Sequence, residues 1–359
     1  MGSKYWNVIG SLAALYFFIS AIMLIKSSAQ MMAETLTKTI VLVIKDTTSA
    51  VFAGWIGTAI VHSSGAFDSI VVTFVSTGVL PLSLAVASIL GAELGTTVTP
   101  FLISVLNQAR NKKNQDAAFN VTLTHVLYNL ATLAIFYPAE LFFGLLTMVA
   151  IQGSNIFVEA PWLKSVPSVL DVLTPWIPAV LQFIPPWLGI LVGAVMLIVS
   201  LSGIEKYMTE IFNMPRSWNL IRATFQKPLR SFVAGFLFTL LIPSTTVMVS
   251  LLIPLATSGA LSADYFILPY ILGSNIGTCF SVMLAAMATG DPVAMGAWLV
   301  QLFVNVVGAA IFLILNKPFS KMIRATSQKV ATSPRLTLVI TAMFHLIPAG
   351  ILLFYIFFK

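Results

Sequence analysis

The sequence predicts an all-α polytopic membrane protein. It is built from two inverted-topology repeats, each with a re-entrant helical hairpin and broken helices, and ends in a C-terminal helix. Three observations lead there. Hydrophobic residues make up 58% of the 359 and charged residues 9%, far from the roughly 25% charged composition of soluble domains. Five apolar runs, at 5–25, 117–137, 187–204, 293–315 and 336–358, reach or approach the about 20 residues a helix needs to cross the hydrocarbon core. A pair of polar, small-residue motifs occurs twice, half a chain apart.

The first run follows Lys4 and ends near Ser27-Ser28-Ala29, an arrangement a secretory signal shares. It is longer than an h-region of about 7–15 residues, and Lys26 interrupts the small-residue segment, so an uncleaved helix is expected. From 47 to 106 the chain must cross the membrane an odd number of times, yet its apolar pieces read as too short and broken for ordinary spans, and the same holds from 231 to 288. A helix at 47–61, a break from His62 to Gly65 and a helix at 66–77 form the expected re-entrant hairpin. That break, Val61-His62-Ser63-Ser64-Gly65, leads to Gly91-Ala92-Glu93-Leu94-Gly95-Thr96-Thr97. The second half repeats the order. Ile242-Pro243-Ser244-Thr245-Thr246, with its break at 243–246, leads to Gly273-Ser274-Asn275-Ile276-Gly277-Thr278-Cys279. The step from His62 to Pro243 equals that from Gly91 to Gly273 to within a single position. Broken backbone at membrane depth is tolerated only where protein or a wet cavity surrounds it, so both breaks are expected to face a polar chamber. Matching interruptions in two halves point to a ligand site between them. The repeats are assigned to residues 1–150 and 187–335, joined by an external Pro- and Trp-rich linker at 151–186 and followed by a helix at 336–359. Cys279 is the only cysteine, which excludes an intrachain disulfide.

Loop charges set the expected topology. Arg110, Lys112 and Lys113 follow the first Gly motif, whereas Asp291 is the only charge after the second. Lys317, Lys321, Arg324, Lys329 and Arg335 follow the last helix of the second repeat; Glu140, Glu159, Asp171 and one Lys164 occupy the counterpart. Lys206, Arg216, Arg222, Lys227 and Arg230 mark the entry to the second repeat as cytoplasmic. Under the positive-inside rule the N-terminus is cytoplasmic, the C-terminus external, and the two repeats inverted. The net charge of +7 is explained by these short loops, and no nucleic-acid partner is expected. The partner is a lipid bilayer, a plasma or inner membrane.

After each break a helix begins, and its first turn leaves about four backbone N–H groups unpaired at the positive end of the peptide dipoles. Ser63 and Ser64 in one copy, and Ser244, Thr245 and Thr246 in the other, add hydroxyls. Gly65 permits close backbone approach. Two such termini meeting from opposite repeats would surround an oxyanion with no arginine in the membrane. The competing role for these hydroxyls is plain N-capping. Metal clusters, a nucleophile elbow and a Gly-rich phosphate loop with Lys are missing from the sequence, so no enzyme is expected.

The motifs resemble those of the type II sodium/phosphate cotransporter family, whose repeats each carry Gln-Ser-Ser-Ser followed by Gly-Ala/Ser-Asn-Ile-Gly-Thr-Thr. Gly273 to Thr278 matches closely. Gly91 to Thr97 matches except at Glu93 and Leu94. The resemblance spans most of both halves, including helices where His125 and Asn129 are echoed, at one common spacing, by Gln301 and Asn305. It implies a secondary active transporter that moves inorganic phosphate with Na+ as coupling ion and without another cofactor. The departures fall on the signature: His62 and Pro243 replace its glutamines, Gly65 a serine, and Thr245 and Thr246 two more. Another oxyanion, proton coupling, or an anion-binding membrane sensor without transport are the alternatives.

Two acids distinguish the first repeat. Asp68 lies one turn into the post-break helix and Glu93 takes the Asn position of the Gly motif, and neither has an acidic counterpart in the second repeat. Ionisable groups within a membrane segment point to an ion or proton path; a polar vestibule for Glu93 and helix capping for Asp68 are the competing roles. Thr96, Thr97, Asn275 and Thr278 join them as candidate oxygen donors to a cation. His62 either makes substrate binding pH-dependent or replaces the Gln as a neutral hydrogen-bonding group. His125, Asn129, Gln301 and Asn305 form i, i+4 pairs expected to line the repeat interface and bond the re-entrant backbones. His345 is expected to satisfy a local backbone group.

Overall fold

The computed structural model describes residues 2–110, 113–212, 225, 227–259 and 265–358; the basic residues Lys112, Arg216 and Arg222 lie outside them. The first half forms α1 (Gly2–Met31), α2 (Ala33–Val43), α3 (Thr47–Val61), α4 (Ser64–Ser76), α5 (Leu82–Gly95), α6 (Val98–Ala109), α7 (Gln115–Phe143) and α8 (Leu145–Val158). Two helices follow, α9 (Pro161–Leu173) and α10 (Trp176–Leu181). The second half forms α11 (Pro186–Phe212), α12 (Pro228–Leu241), α13 (Thr245–Thr257), α14 (Ile267–Thr289), α15 (Pro292–Ile314) and α16 (Asn316–Thr332), and α17 (Pro334–Phe358) ends the chain. The described residues contain no strand.

Seven segments among them are long and apolar enough to cross a membrane. Five coincide with the apolar runs of the sequence. The other two, Leu82–Ala109 and Ile267–Thr289, fall where the sequence reads as too broken for an ordinary span. Gly, Ala, Ser and Thr depress hydropathy there because close helix contact requires small residues. A Cβ on Gly54 of α3 would stand 1.9 Å from the Ser88 carbonyl oxygen, and one on Gly91 of α5 1.8 Å from that of Val51. The second half has the same contact: Gly235 of α12 would meet Tyr270 O at 2.0 Å, and Gly273 of α14 would meet Phe232 O at 2.0 Å. The half-chain spacing of the motifs holds for both partners of this contact, so a helix pair has been copied and not merely a motif.

The two breaks separate α3 from α4 and α12 from α13, and each half contributes to the surroundings of the other. Helix α4 packs on α14 and α15, and α13 packs on α6 and α7. The exchange extends outward, with α8 against α15 and α16 against α7. These contacts are reciprocal, with corresponding helices of the two halves exchanging places. Upstream, α2 and α3 meet at 97°; Asp46 terminates the bend by accepting from the Ser49 amide in a capping box.

Loop contacts sort the chain ends into groups. Lys26 Nζ donates to Thr289 O at 2.7 Å, Trp176 Nε1 donates to Tyr16 Oη, and Gly290 abuts Pro167 of α9. Lys45 Nζ donates to Tyr355 O in the last helix. Elsewhere Gln108 Nε2 donates to Val330 O and Ala331 O, and Asn114 Nδ2 to Thr257 O. His345 bonds Thr341 O at 2.8 Å, the local role the sequence suggests.

Candidate functional site

Helix α3 stops at His62, whose φ of 60° places it in the left-handed region, and Ser63 follows in extended conformation with φ −151°. Its Oγ accepts from the Ala66 amide at 3.2 Å. Ser244 repeats this, with φ −151° and an acceptance from the Val247 amide at 3.2 Å. Both serines are N-caps, one of the two roles their sequence admits, and each retains oxygen lone pairs and a hydroxyl proton. The cap also shortens each break. Helices α4 and α13 start at Ser64 and Thr245, so Ser64, Gly65, Thr245 and Thr246 stand in first turns, two residues earlier than the hydropathy suggests, because a capping serine satisfies first-turn amides.

The two hairpin tips meet the opposite repeat. Thr246 Oγ1 lies 3.1 Å from Thr96 Oγ1. Gly65 faces Ser281, whose Oγ would be 2.8 Å from a Cβ placed there. His62 Nδ1 lies 2.8 Å from Thr99 Oγ1. Thr245 turns to its own Gly motif: its amide donates to Thr278 Oγ1 at 3.0 Å, and its hydroxyl donates to Ser274 O and lies 2.5 Å from Thr278 Oγ1. Thr97 does not join the cluster; its buried hydroxyl donates back to Leu94 O. Thr99, Ser274 and Ser281 are neighbours that sequence reading missed. Thr99 and Ser281 stand at the same spacing as Gly91 and Gly273, a recurrence that marks them once the repeat is traced beyond the motif. Glu205 of α11, against the Ser244 side chain, carries no such signal.

Behind the tips runs a buried polar seam. Gln301 Nε2 donates to Asp68 Oδ2 at 2.7 Å and to Glu93 Oε1 at 3.0 Å, so one amide from the second repeat joins both acids of the first. Asp68 and Gln301 are 0% exposed. Asp68 Oδ1 and Gln301 Oε1 have no hydrogen-bond partner. Among the described residues the only ion pair is Lys38–Glu34, so no basic group balances the two carboxylates. Buried carboxylates without a counter-charge are costly, and a bound cation or protons have to supply it. No group of three or more His, Cys, Asp and Glu fit to hold a metal occurs among the described residues. The donors here are hard oxygens, which suit an alkali cation rather than a transition metal.

The equivalent position in the second repeat is neutral. Asn275, the counterpart of Glu93, donates to Asn129 Oδ1 at 3.3 Å and lies beside His125. The expectation that the interface residues bond the re-entrant backbones is corrected. Asn129 and Asn305 donate to their own helix carbonyls, His125 O and Gln301 O. The remaining bonds reach side chains, those of Asp68, Glu93 and Cys279 among them.

The description Na+/Pi-cotransporter belongs to a family model that matches residues 17–153 and 186–345, most of both repeats. The sodium-dependent phosphate transport protein 2A of Mus musculus is 27% identical over 180 residues, 48% of this chain and 28% of that protein. The sodium-dependent phosphate transport protein 2B of Bos taurus is 26% identical over 169 residues, 45% of this chain and 24% of that protein. The uncharacterized protein YqeW of Bacillus subtilis (strain 168) is 30% identical over 90 residues, 25% of this chain and 27% of that protein. The chain thus spans only about a quarter of the length of the relatives it matches. No solved structure matches it. With two copies of the family's motifs placed on a duplicated helix scaffold, and the family model covering both, the chain belongs to the Na+/Pi-cotransporter family.

Proposed function

We propose that this protein is a secondary active transporter that moves inorganic phosphate together with Na+ across a plasma or inner membrane, by alternating access of the two repeats. The observation that carries the reading is the duplicated capped break. Two helices begin at Ser64 and Thr245 with the same N-cap geometry, and their first turns meet the opposite repeat at Thr96 and Ser281. Their amide ends supply partial positive charge without a basic residue. Ser63, Ser64, Gly65, Ser244, Thr246 and His62 bind the oxyanion in this reading, and Thr245 orders the second tip. Asp68, Glu93 and Gln301 hold the coupling cation, while Asn275, Thr278, Asn129 and His125 form its neutral counterpart. The N-terminus is cytoplasmic and the C-terminus external.

A second reading has protons instead of Na+ at the acidic pair, favoured by the lone Asp68 Oδ1, which can carry one. Uptake of radiolabelled phosphate into proteoliposomes separates them. An inward Na+ gradient is expected to drive accumulation that an equal K+ gradient does not. Accumulation driven by a pH gradient alone would replace Na+ by H+, and no accumulation under any cation gradient would overturn the transport reading.

A further inference from the structure

The internal repeat makes two ends of the molecule comparable. Helix α6 starts just after the first Gly motif and α13 at the second break, and their far ends flank a cleft of about 500 Å³ lined by Ile103, Asn107, Lys113, Pro254, Thr257 and Ser258. At the steps that relate the two Gly motifs and the two breaks, Asn107 corresponds to Thr289 at the end of α14, and Pro254 to Thr73 in α4. Pro254 is exposed and Asn107 half-buried, whereas Thr73 and Thr289 are buried. One end of the duplicated scaffold is open and its counterpart closed. The linker lies over the closed end. Helix α9 packs on α14, and its Leu163 and Leu170 share one apolar cluster with Val72 and Val75 of α4 and Ala285 and Ala288 of α14. Leu163 O and the Pro167 ring lie against Gly290. This cover is one helix thick, since Trp162, Val169 and Val172 on its other side are exposed. Polar contacts hold its edge. Tyr16 Oη donates to Leu173 O, and Lys26 Nζ, in the field of Asp171 of α9 and of Asp291, donates to Thr289 O at 2.7 Å.

We propose that α9 is the lid of the transport path at this end: it covers α4 and α14 while the cleft at Asn107 and Pro254 is open, and it leaves α14 when that cleft closes. The inference rests on the transport reading above and gives alternating access a named moving part. Two equivalent ends on one scaffold have to differ at every moment if substrate is to pass without a leak. The linker supplies that difference. Lys26 is its latch, because one ammonium on α1 ties the end of α14 and faces the carboxylate of Asp171 on the lid. A short segment seated by few buried contacts opens at lower free energy than the core beneath it. Once lifted, an amphipathic helix with an exposed Trp and valines can rest in the membrane interface.

Thiol labelling of the whole chain in proteoliposomes tests this. Asn107→Cys and Thr289→Cys place the probe at equivalent positions, and the unaltered chain, whose Cys279 is buried, gives the background. N-ethylmaleimide is expected to label Asn107→Cys at least about tenfold faster than Thr289→Cys. Lys26→Met removes the latch and keeps an unbranched stem. It is expected to speed labelling of Thr289→Cys about tenfold, the worth of one hydrogen bond to a charged group, and to slow labelling of Asn107→Cys. With Lys26 in place, the same reciprocal change is expected when phosphate and an inward Na+ gradient are supplied. Faster labelling of Thr289→Cys without slowing at Asn107→Cys would mark loosened packing, and unchanged labelling of Thr289→Cys under both conditions would mark a fixed cover; either overturns the lid. Absence of phosphate uptake by the unaltered chain overturns the transport reading instead, and the Lys26→Met comparison still decides the lid.

Discussion

Asp68→Asn tests the acidic pair with the least disturbance to shape. In the native arrangement Gln301 Nε2 serves Asp68 at 2.7 Å and Glu93 at 3.0 Å, and Gln301 Oε1 has no partner. An asparagine amide can donate to that free oxygen after rotation of the Gln301 head group, so the buried contact survives and folding is expected to be retained. What is lost is one negative charge. A unit charge about 4 Å from a cation is worth roughly 4 kcal/mol at an effective dielectric of about 20, and desolvation takes back a large share. A residual of about 1.4 kcal/mol is a tenfold change. The half-saturating Na+ concentration for phosphate uptake is therefore expected to rise at least tenfold. A second readout is independent of transport. Excess Na+ at about 100 times its dissociation constant stabilises the native protein by about 2.7 kcal/mol, and this thermal protection is expected to shrink in the variant. Unchanged Na+ dependence in both assays would show that Asp68 is not a coupling residue.

Three further outcomes follow from the geometry. Gly273→Ala puts a Cβ 2.0 Å from a backbone carbonyl oxygen, which no side-chain rotation relieves; a loss of about 3 kcal/mol or more is expected as low yield and a lowered melting temperature, and a normal melting temperature would refute the close contact. Ser63→Ala and Ser244→Ala each remove an N-cap worth about 1 kcal/mol and are expected to raise the KM for phosphate to similar extents, since the two caps are geometric copies; unchanged KM in both rules out the caps as substrate groups. Thr96→Val and Thr246→Val, combined in a double-mutant cycle on stability, are expected to show about 0.5–1.5 kcal/mol of coupling, while additivity would mean that the hairpin tip does not meet the opposite repeat.

Much of the fold was legible because the chain repeats itself. Two polar breaks and two Gly motifs at nearly constant spacing located the hairpins, and Ser63 and Ser244 share the same φ in the structure. Hydropathy misled where packing was tightest: Gly91 and Gly273 make their spans look broken because they are where two backbones touch. It also set the helix starts two residues late, since a single capping serine lets Ser64 and Gly65, or Thr245 and Thr246, enter the helix. Individual site residues were legible by type. Asp68 and Glu93 stood out as acids in apolar surroundings, but their meeting on one amide of Gln301, far along the chain from both, depends on the exchange of helices between repeats. Glu205 was missed for the same reason, because nothing local ties α11 to the second break.

The proposed transport cycle requires that one oxyanion between the two helix ends bind in linkage with a cation at Asp68 and Glu93. Calorimetric titration of the purified protein with phosphate, in Na+ and in K+ at matched ionic strength and pH, tests it without requiring transport. Phosphate is expected to bind at least tenfold tighter in Na+, and phosphate is expected to tighten Na+ binding by the same factor, as linkage demands. Equal phosphate affinity in the two cations would show that the two sites are not coupled.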